Sequence, residues 1–297
     1  MLTSGILETI EPGLSAVAAF GGENATGKDL AIFYSAFAIK LMNPVQSLYR
    51  MVLRLLLPEQ IYEYVLAAKD GRDFVPKVGS VGFGHLRRLK PISSCYGYDR
   101  GLPVDRYYIE NFLSENAGCI RGRVLEIGDN EYTRKFGGKN VARSDILNLD
   151  KRANPLTTIE ADLTSAPHIP DDTFDCIIFT QTLMLIYDMH SVIRTLHRIL
   201  KPGGTLLATL GGISNTSGRE PWEKNWCWHF TTVSASKLFE EDFPGGGAEV
   251  QGYGNVLSAI SLLEGLSSTE LTHRELDHYD PSYEVVVSVK AVKRPAS

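Results

Sequence analysis

Short apolar runs between positions 121 and 183 each stop at a glycine or a polar residue. VLEI precedes Gly128, NVARSD closes on Asp145, TTIEAD closes on Asp162, and FDCIIF precedes Thr180 and Gln181. Runs that are apolar almost throughout and joined by short connections predict parallel strands in an α/β sheet. Ligands of such sheets bind at the carboxyl ends of the strands, where the strand order reverses. We therefore expect the residues that follow these four strands to face one crevice.

The pattern after position 190 continues the alternation of helices and strands. SVIRTLHRIL has apolar positions at helical spacing and stops at residues 201–204, where a proline and two glycines turn the chain. TLLATL, AEVQGYGN and YEVVVSVKAV predict three further strands, and VSASKLFEEDF predicts a helix between them. The whole pattern predicts a Rossmann-like, doubly wound, mostly parallel sheet of seven strands.

The N-terminal part has a different character. LAIFYSAFAIKLM and VQSLYRMVLRLLL predict two apolar helices separated near Asn43-Pro44, and EQIYEYVLAAKDG predicts a third that stops at Gly71. We assign residues 1–95 to an N-terminal helical extension or cap and residues 96–297 to the main domain. The extension either packs on the sheet or forms a homodimer. Membrane association is disfavoured, because two arginines are few for a helix that lies at a membrane surface.

Charge and composition exclude several classes of function. A net charge of -5 gives no electrostatic footprint for nucleic acid. The four cysteines lack the spacing of a metal site, so we expect no metal and reduced thiols. The chain shows neither a signal peptide nor an apolar run of the ~18 residues that a membrane span needs, and we expect a cytoplasmic protein.

The central stretch resembles the class I S-adenosylmethionine (SAM) dependent methyltransferases, in particular the type 11 group. VLEIG, SDI, ADL, IPDDTFDCIIFTQTL and LHRILKPGGTLLAT carry this resemblance, in that order, over roughly residues 107–210. It implies SAM as the cofactor and a last strand antiparallel to the others.

The resemblance also implies roles for the residues at the strand ends. Glu126 would accept a hydrogen bond from the SAM ammonium group, and Asp145, or alternatively Asp150, would hold the ribose hydroxyls. Asp162 would accept from the adenine amino group, with the Leu163 amide beside it. The other expected contacts are made by Tyr107, Gly128, Asp129, Asn130, Thr180 and Gln181, with Arg100 and Arg106 as further candidates for the SAM carboxylate.

The glycine turn departs from the family pattern of acid-x-Gly-x-Gly-x-Gly. The turn begins at Glu126 and keeps only the first glycine, Gly128. We expect Asn130 to replace the second glycine, because asparagine tolerates left-handed backbone better than most residues. Tyr132 in place of the third would prevent the usual close contact between helix and strand.

Three functions remain open on the sequence. The first is methyl transfer from SAM to oxygen or nitrogen of a small molecule such as a metabolite or sugar, with His229 as the general base. Trp222, Trp226 and Trp228 would then form an aromatic substrate wall or belong to the core. The alternative is a catalytically inactive binding or scaffold protein of the same fold. A dinucleotide-dependent oxidoreductase is disfavoured because no G-x-G-x-x-G is present.

Overall fold

The computed structural model describes residues 52–69, 71, 75–216, 225–245 and 247–295. The chain divides into two compact units, residues 1–87 and residues 88–297. The first predicted N-terminal helix and Trp222 lie outside the described residues.

The first unit contains part of the predicted helical extension. Residues 52–56 are helical, this helix ends before Pro58, and helix α1 spans Glu59–Lys69. Leu53 and Val65 are buried together in a small apolar cluster. The third predicted helix is therefore confirmed, whereas the role of residues 1–95 as a cap or a dimer contact stays a prediction.

The second unit is built on a seven-stranded sheet of order β3-β2-β1-β4-β5-β7-β6. β7 runs antiparallel to both of its neighbours, and the pairs among β1 to β5 are parallel. The predicted fold class, including the antiparallel last strand, is confirmed. The strands are β1 Gly122–Ile127, β2 Val141–Asn148, β3 Ile159–Glu160, β4 Phe174–Thr180, β5 Leu200–Gly211, β6 Ala248–Tyr253 and β7 Val286–Val292. The helices that accompany it are α2 Val104–Glu115, α3 Met189–Ile199, α4 Thr232–Glu240, α5 Val256–Leu263 and α6 His273–Asp277.

Several strand boundaries differ from the expectation, and β3, for example, ends at Glu160 and does not close on Asp162. β2 continues to Asn148 and does not close on Asp145, because its pairing with β1 extends through Leu147. β5 begins at Leu200, directly after α3, so the predicted turn at residues 201–204 lies inside the strand. A shift in the pairing of β4 with β5 accommodates this segment, in which Gly203 adopts a φ of +79°.

Alternate residues of the central strands build a core on each face of the sheet. On one face, side chains such as Leu125, Ile177 and Phe179 pack with α3 and α4. On the other face, side chains such as Val124 and Ile178 pack with α2 and α5. Burial on both faces is the physical reason why these strands are almost continuously apolar.

The strand order places a switch point between β1 and β4. From β1 the chain moves outward to β2 and β3, and it then returns to β4 on the other side of β1. Connections that diverge in this way leave a crevice outside the carboxyl ends of the two central strands. The crevice between β1 and β4 is therefore the candidate site.

Candidate functional site

Gly128 opens the turn at the end of β1. Its φ is +91°, a conformation that favours glycine, and a Cβ atom added there would meet nothing within 4 Å. Its carbonyl accepts hydrogen bonds from the side-chain amides of Asn148 and Asn154, each at 3.0 Å, and its amide donates to Leu147 at 3.0 Å. The turn is thus fastened to the end of β2 and leaves open space above the Gly128 Cα.

Glu126 lies beneath this turn and holds it in place. Its carboxylate is 2% exposed and accepts from the Tyr132 amide at 3.2 Å and from the Thr133 amide and hydroxyl, both at 2.7 Å. Burial raises the pKa of Glu126 to about 7, although the hydrogen bonds from Thr133 and Tyr132 act in the opposite direction. Because both oxygens are occupied within the turn, the predicted contact of Glu126 with an ammonium group does not fit this geometry.

The prediction for Asn130 is wrong, because its backbone does not adopt the left-handed conformation. Its side-chain amide donates to the Ser144 hydroxyl at 3.2 Å. The neighbouring Asp129 is exposed and accepts from the amide of Glu131 at 2.8 Å, which caps the start of the next turn. Both residues therefore lie in the turn, as expected, but they stabilise it through local hydrogen bonds.

The close contact that a third glycine would make occurs five residues later. Tyr132 instead packs against Phe136, with ring centroids 6.1 Å apart. A Cβ atom at Gly137 would lie 2.5 Å from Val141 Cγ2 and 2.8 Å from Ile120 Cγ2. The connection from β1 to β2 is one π-helical turn and one 3-10 turn, and Gly137 ends the π-helical turn. The glycine pair at 137–138 was the sequence signal for this contact.

Asp145 does not lie at the strand end that was predicted for it. It pairs with Leu125 in mid-sheet, and its side chain is 1% exposed. Arg123 donates to it at 2.7 Å and Arg143 at 3.0 Å. Burial opposes ionisation, but these two guanidinium groups hold the pKa of Asp145 below its ordinary value. Asp145 therefore makes ion pairs within the sheet, and this position does not fit the ribose role that was predicted for it.

Asp150 is the acid that lies just beyond the carboxyl end of β2. It follows the carboxyl end of the strand by two residues and is partly exposed. Its side chain accepts from the amide of Arg152 at 2.8 Å, and hydrogen bonds from Arg152 lower the pKa of Asp150 to about 2. Of the two acids considered from the sequence, only Asp150 combines ionisation with a position at the strand end.

Asp162 and Leu163 follow β3 as predicted. Asp162 is exposed, and its Oδ1 accepts from the Thr164 amide at 2.8 Å and hydroxyl at 2.7 Å. Its Oδ2 and the Leu163 amide make no hydrogen bond to the described residues. The Leu163 side chain is buried in the core, which fixes the position of that amide.

Thr180 and Gln181 mark the end of β4, where the backbone turns sharply. Gln181 adopts a φ of +48°, which is unusual for a residue with a side chain. Its amide donates to the Thr209 carbonyl of β5 at 2.8 Å, and Thr180 pairs with Thr209 in register. The side-chain Nε2 of Gln181 is buried without a hydrogen-bond partner, and so is the Thr209 hydroxyl.

The segment that carries His229 crosses the ends of β4 and β5. Cys227 donates to the Met184 carbonyl at 2.8 Å, and Phe230 donates to the Gly211 carbonyl at 2.9 Å. His229 Nδ1 lies 2.7 Å from the Gly212 carbonyl. A carbonyl only accepts, so Nδ1 carries a proton, and in the neutral form of the ring Nε2 has the lone pair. The predicted base thus lies at the carboxyl edge of the sheet in the tautomer that a base requires.

Two of the tryptophans flank this segment in different ways. Trp228 stacks on Tyr187 at 5.4 Å, and its Nε1 donates to the Ile186 carbonyl at 3.2 Å. The Trp226 ring lies 5.9 Å from the His229 ring, and its Nε1 is buried without a partner. Both indoles are partly buried against the core, so they contribute to packing and to the edge of the site.

Tyr107 and Arg106 both lie on α2 but contact different parts of the protein. The Tyr107 hydroxyl donates to Asp277 at 2.6 Å and lies 3.2 Å from His273 Nδ1, so it ties α2 to α6 and does not fit a cofactor contact. Arg106 donates to the Tyr98 hydroxyl at 2.8 Å and has 23% of its side chain exposed. Burial raises the pKa of Tyr132 to about 12, although the nearby Arg106 charge lowers it. Arg106 therefore lies beside the turn after β1.

Arg100 is occupied elsewhere, because its guanidinium pairs with Glu270.

The described ranges contain no group of three metal-binding side chains that could hold an ion. Within those same ranges, no helix has the length and apolar character that a bilayer crossing requires.

Comparison with known proteins supports a single family. The family model described as "Methyltransferase domain" matches residues 116–208. The human arginine-hydroxylase NDUFAF5, mitochondrial, is 28% identical over 112 residues, which are 37% of this chain and 32% of that protein. The ubiquinone/menaquinone biosynthesis C-methyltransferase UbiE of Pectobacterium carotovorum subsp. carotovorum (strain PC1) is 32% identical over 117 residues, covering 33% of this chain and 46% of that protein. The chain thus spans less than half the length of these curated relatives.

Among solved structures, an S-adenosylmethionine dependent methyltransferase from Mesorhizobium loti is similar at a TM-score of 0.44. It is 19% identical and covers 66% of this chain and 100% of its own. The family match confirms the resemblance on which the site residues were selected.

Proposed function

We propose that this chain, which belongs through residues 116–208 to the class I SAM-dependent methyltransferase family, binds SAM between β1 and β4 and transfers its methyl group to a small molecule. The observation that carries the proposal is the open space above Gly128 at the switch point of the sheet. A glycine with positive φ and no neighbour over its Cα allows a ligand to approach the backbone closely.

The residues around Gly128 fit the different parts of SAM. Asp150 would accept from the ribose hydroxyls, and Asp162 with the Leu163 amide would meet the adenine edge. Arg106, beside the turn, would meet the methionine carboxylate, in place of Tyr107. Thr180 and Gln181 would lie next to the methionine end. Asp162 is exposed, and the Leu163 amide and Gln181 Nε2 lack a described partner, whereas Glu126 and Asp145 are buried with their oxygens occupied.

The protein's own groups would align the acceptor and remove its proton. SAM supplies a methyl group already activated by a sulfonium, so alignment and exclusion of water are the main requirements. His229 presents Nε2 with a lone pair and would take the proton of a hydroxyl or amine acceptor. The Gly212 carbonyl orients the ring and stabilises the imidazolium that results.

Two classes of acceptor atom are open for the methyl group, namely oxygen or nitrogen on the one hand and carbon on the other. The irregular segments near the site led us to expect oxygen or nitrogen of a metabolite or sugar. The relative from Pectobacterium is named a C-methyltransferase of ubiquinone/menaquinone biosynthesis, which favours carbon. We propose a small hydroxylated acceptor, because deprotonation by His229 would activate either its oxygen or a carbon conjugated with it.

A second candidate is a binding or scaffold protein without methyl transfer. The occupation of both Glu126 oxygens within the turn favours it, since this acid is then withheld from the cofactor. One relative is named as an arginine-hydroxylase, so similarity to this family does not by itself imply methyl transfer.

The cysteines and the charge bear on the surroundings of the protein. The four cysteines carry free thiols in the structure, which supports a reducing compartment such as the cytoplasm. Nothing in the charge or the site points to nucleic acid, and a homodimer through the N-terminal helices stays a proposal.

Calorimetric titration with S-adenosylhomocysteine, the demethylated cofactor, tests the proposal. We expect micromolar binding, and we expect Asp150→Ala and Asp162→Ala each to weaken it about tenfold, the effect of losing a hydrogen bond to a charged group. Asp171→Ala is the matched control, because Asp171 is an exposed acid at the amino end of β4. A folded protein that binds neither SAM nor S-adenosylhomocysteine would leave the scaffold function. Equal effects of all three variants would move the site away from the strand ends.

A further inference from the structure

Buried polar atoms without partners are concentrated where β4 and β5 end. In the described part of the chain they are Gln181 Nε2, Thr209 Oγ1 and Trp226 Nε1. A polar group buried without a hydrogen bond is costly, so folded proteins leave few of them. Three in one neighbourhood indicate a site that is completed by a ligand.

Gly211 shows that two of these groups converge. A Cβ atom added to Gly211 would lie 3.5 Å from the Gln181 carboxamide oxygen and 3.7 Å from Trp226 Cζ2. Cζ2 adjoins the ring carbon that carries Nε1, so the indole edge that bears the N–H and the Gln181 carboxamide lie near the same point beside Gly211. The third group, the Thr209 hydroxyl, lies two residues earlier on β5.

The chemistry of the pair specifies what it can bind. The indole Nε1–H is a donor only, and the Gln181 amide nitrogen offers two donors. Donors that are buried without partners in neighbouring side chains complement an oxygen that accepts, such as a carbonyl, a carboxylate or a phenolate. A protonated amine or a saturated hydrocarbon offers no acceptor and would leave both N–H groups unpaired.

We propose that Trp226 Nε1 and Gln181 Nε2 hold an acceptor oxygen of the substrate and so determine its specificity. The inference rests on the proposed function, since it concerns the acceptor side of the same crevice. The aromatic rings of Trp226 and His229, 5.9 Å apart, favour a planar substrate. The substrate class is therefore an aromatic or enolic compound that carries an oxygen near the atom to be methylated. Both nitrogens are covered in this structure, so binding requires the Trp226 ring to move.

The first test needs no ligand. Trp226→Phe removes an N–H that lacks a partner, whereas the control Trp228→Phe removes an N–H that donates to Ile186. We expect the melting temperature to be unchanged or higher for Trp226→Phe and lower for Trp228→Phe. A fall of the same size in both variants would show that Trp226 Nε1 is already satisfied, and it would overturn the proposal.

The second test follows the indole N–H of Trp226 by ¹⁵N-¹H NMR in the presence of S-adenosylhomocysteine. The chain has three tryptophans, and the two Phe variants assign the signals of Trp226 and Trp228. Benzoate, phenol and benzamide are titrated against toluene, which has the same ring without an oxygen. We expect at least one oxygen-bearing probe to shift the Trp226 signal saturably, with an affinity about tenfold weaker in Gln181→Met. Toluene should not shift that signal.

The remaining outcomes contradict the inference. Either no response of the Trp226 signal to any oxygen-bearing probe, or an equal response to toluene, would remove the oxygen-binding role. An affinity unchanged in Gln181→Met would remove Gln181 from the pair. Loss of S-adenosylhomocysteine binding in Gln181→Met and Trp226→Phe would assign the two groups to the cofactor. The proposed function fails separately, if the unmodified protein does not bind S-adenosylhomocysteine by calorimetry.

Discussion

The turn after β1 and the ends of β4 and β5 lie at the same edge of the sheet but treat their polar groups differently. In the turn, Glu126 accepts three hydrogen bonds, and the Gly128 carbonyl accepts two. At the ends of β4 and β5, the side-chain donors of Gln181 and Trp226 have no partner. The first region is complete without a ligand, whereas the second is not.

This difference indicates that the turn after β1 supports the fold, whereas the ends of β4 and β5 select the ligand. A turn whose hydrogen bonds are satisfied internally can hold a cofactor-sized space open without being distorted by what enters it. A strand end with unpaired donors has an energetic preference for particular ligands. We therefore expect changes in the turn to affect stability first, and changes at the ends of β4 and β5 to affect substrate choice first.

The largest expected effect concerns the charge state of Glu126. Its pKa rises from 4.5 to about 7 on folding, so between these pH values the unfolded chain releases a proton that the folded chain keeps. Stability should then fall as pH rises through this interval, by on the order of 3 kcal/mol. Urea unfolding at about pH 4.5 and about pH 7.5 measures the change.

Glu126→Gln is the control for that measurement, because its amide does not titrate. The difference in stability between the two pH values should become smaller than in the unmodified protein. An identical pH dependence in Glu126→Gln would mean that other groups cause it and that Glu126 is ionised in the folded protein.

The next effect sharpens the distinction between Asp145 and Asp150. Asp145→Ala leaves Arg123 and Arg143 without their shared partner and should destabilise the fold by about 2 kcal/mol, less than a fully buried pair because both arginines are partly exposed. Its affinity for S-adenosylhomocysteine should not change. Asp150→Ala should do the reverse, since its ion pair with Arg152 is exposed. The same profile for both variants would remove the distinction.

Gly137→Ala tests the close contact in the β1–β2 connection. The added methyl group would lie 2.5 Å from Val141 Cγ2 and 3.1 Å from the Ile120 carbonyl, and we expect a loss of about 1.5 kcal/mol from overpacking. Thermal unfolding measures it. Gly138→Ala is a control for backbone strain without crowding, because an added Cβ would meet nothing within 4 Å but φ is +52°. A Gly137→Ala variant with unchanged stability would show that the β1–β2 connection can move as a unit to make room for the methyl group.

The smallest effect compares one hydroxyl from each region. Thr209→Val removes a buried hydroxyl without a partner and should stabilise the protein by about 1 kcal/mol. Thr133→Val removes a buried hydroxyl that donates to Glu126 at 2.7 Å and should destabilise it. Opposite signs in urea unfolding would support the contrast between the regions, and equal signs would break it.

The sequence by itself determined the architecture and the resemblance to the methyltransferase family. Strands buried on both faces must be apolar almost throughout, so β1, β4 and β5 were visible as runs, and the polar residues after them marked the ligand edge. The motifs that carry the family resemblance occur in the order and spacing of the family, and this predicted the sheet topology. Asp162, Leu163 and Gln181 were selected because they lie shortly after a strand, and Thr180 because it ends one.

Only the tertiary structure decided what the individual polar groups do. Whether Asp145 or Asp150 reaches the crevice depends on where β2 stops pairing with β1, and that pairing joins residues about twenty positions apart. The internal role of Glu126, the close contact of Gly137 and the unpaired donors beside Gly211 all depend on neighbours brought together by folding. A hydrogen bond requires a distance and a direction, and the local pattern of residues contains neither.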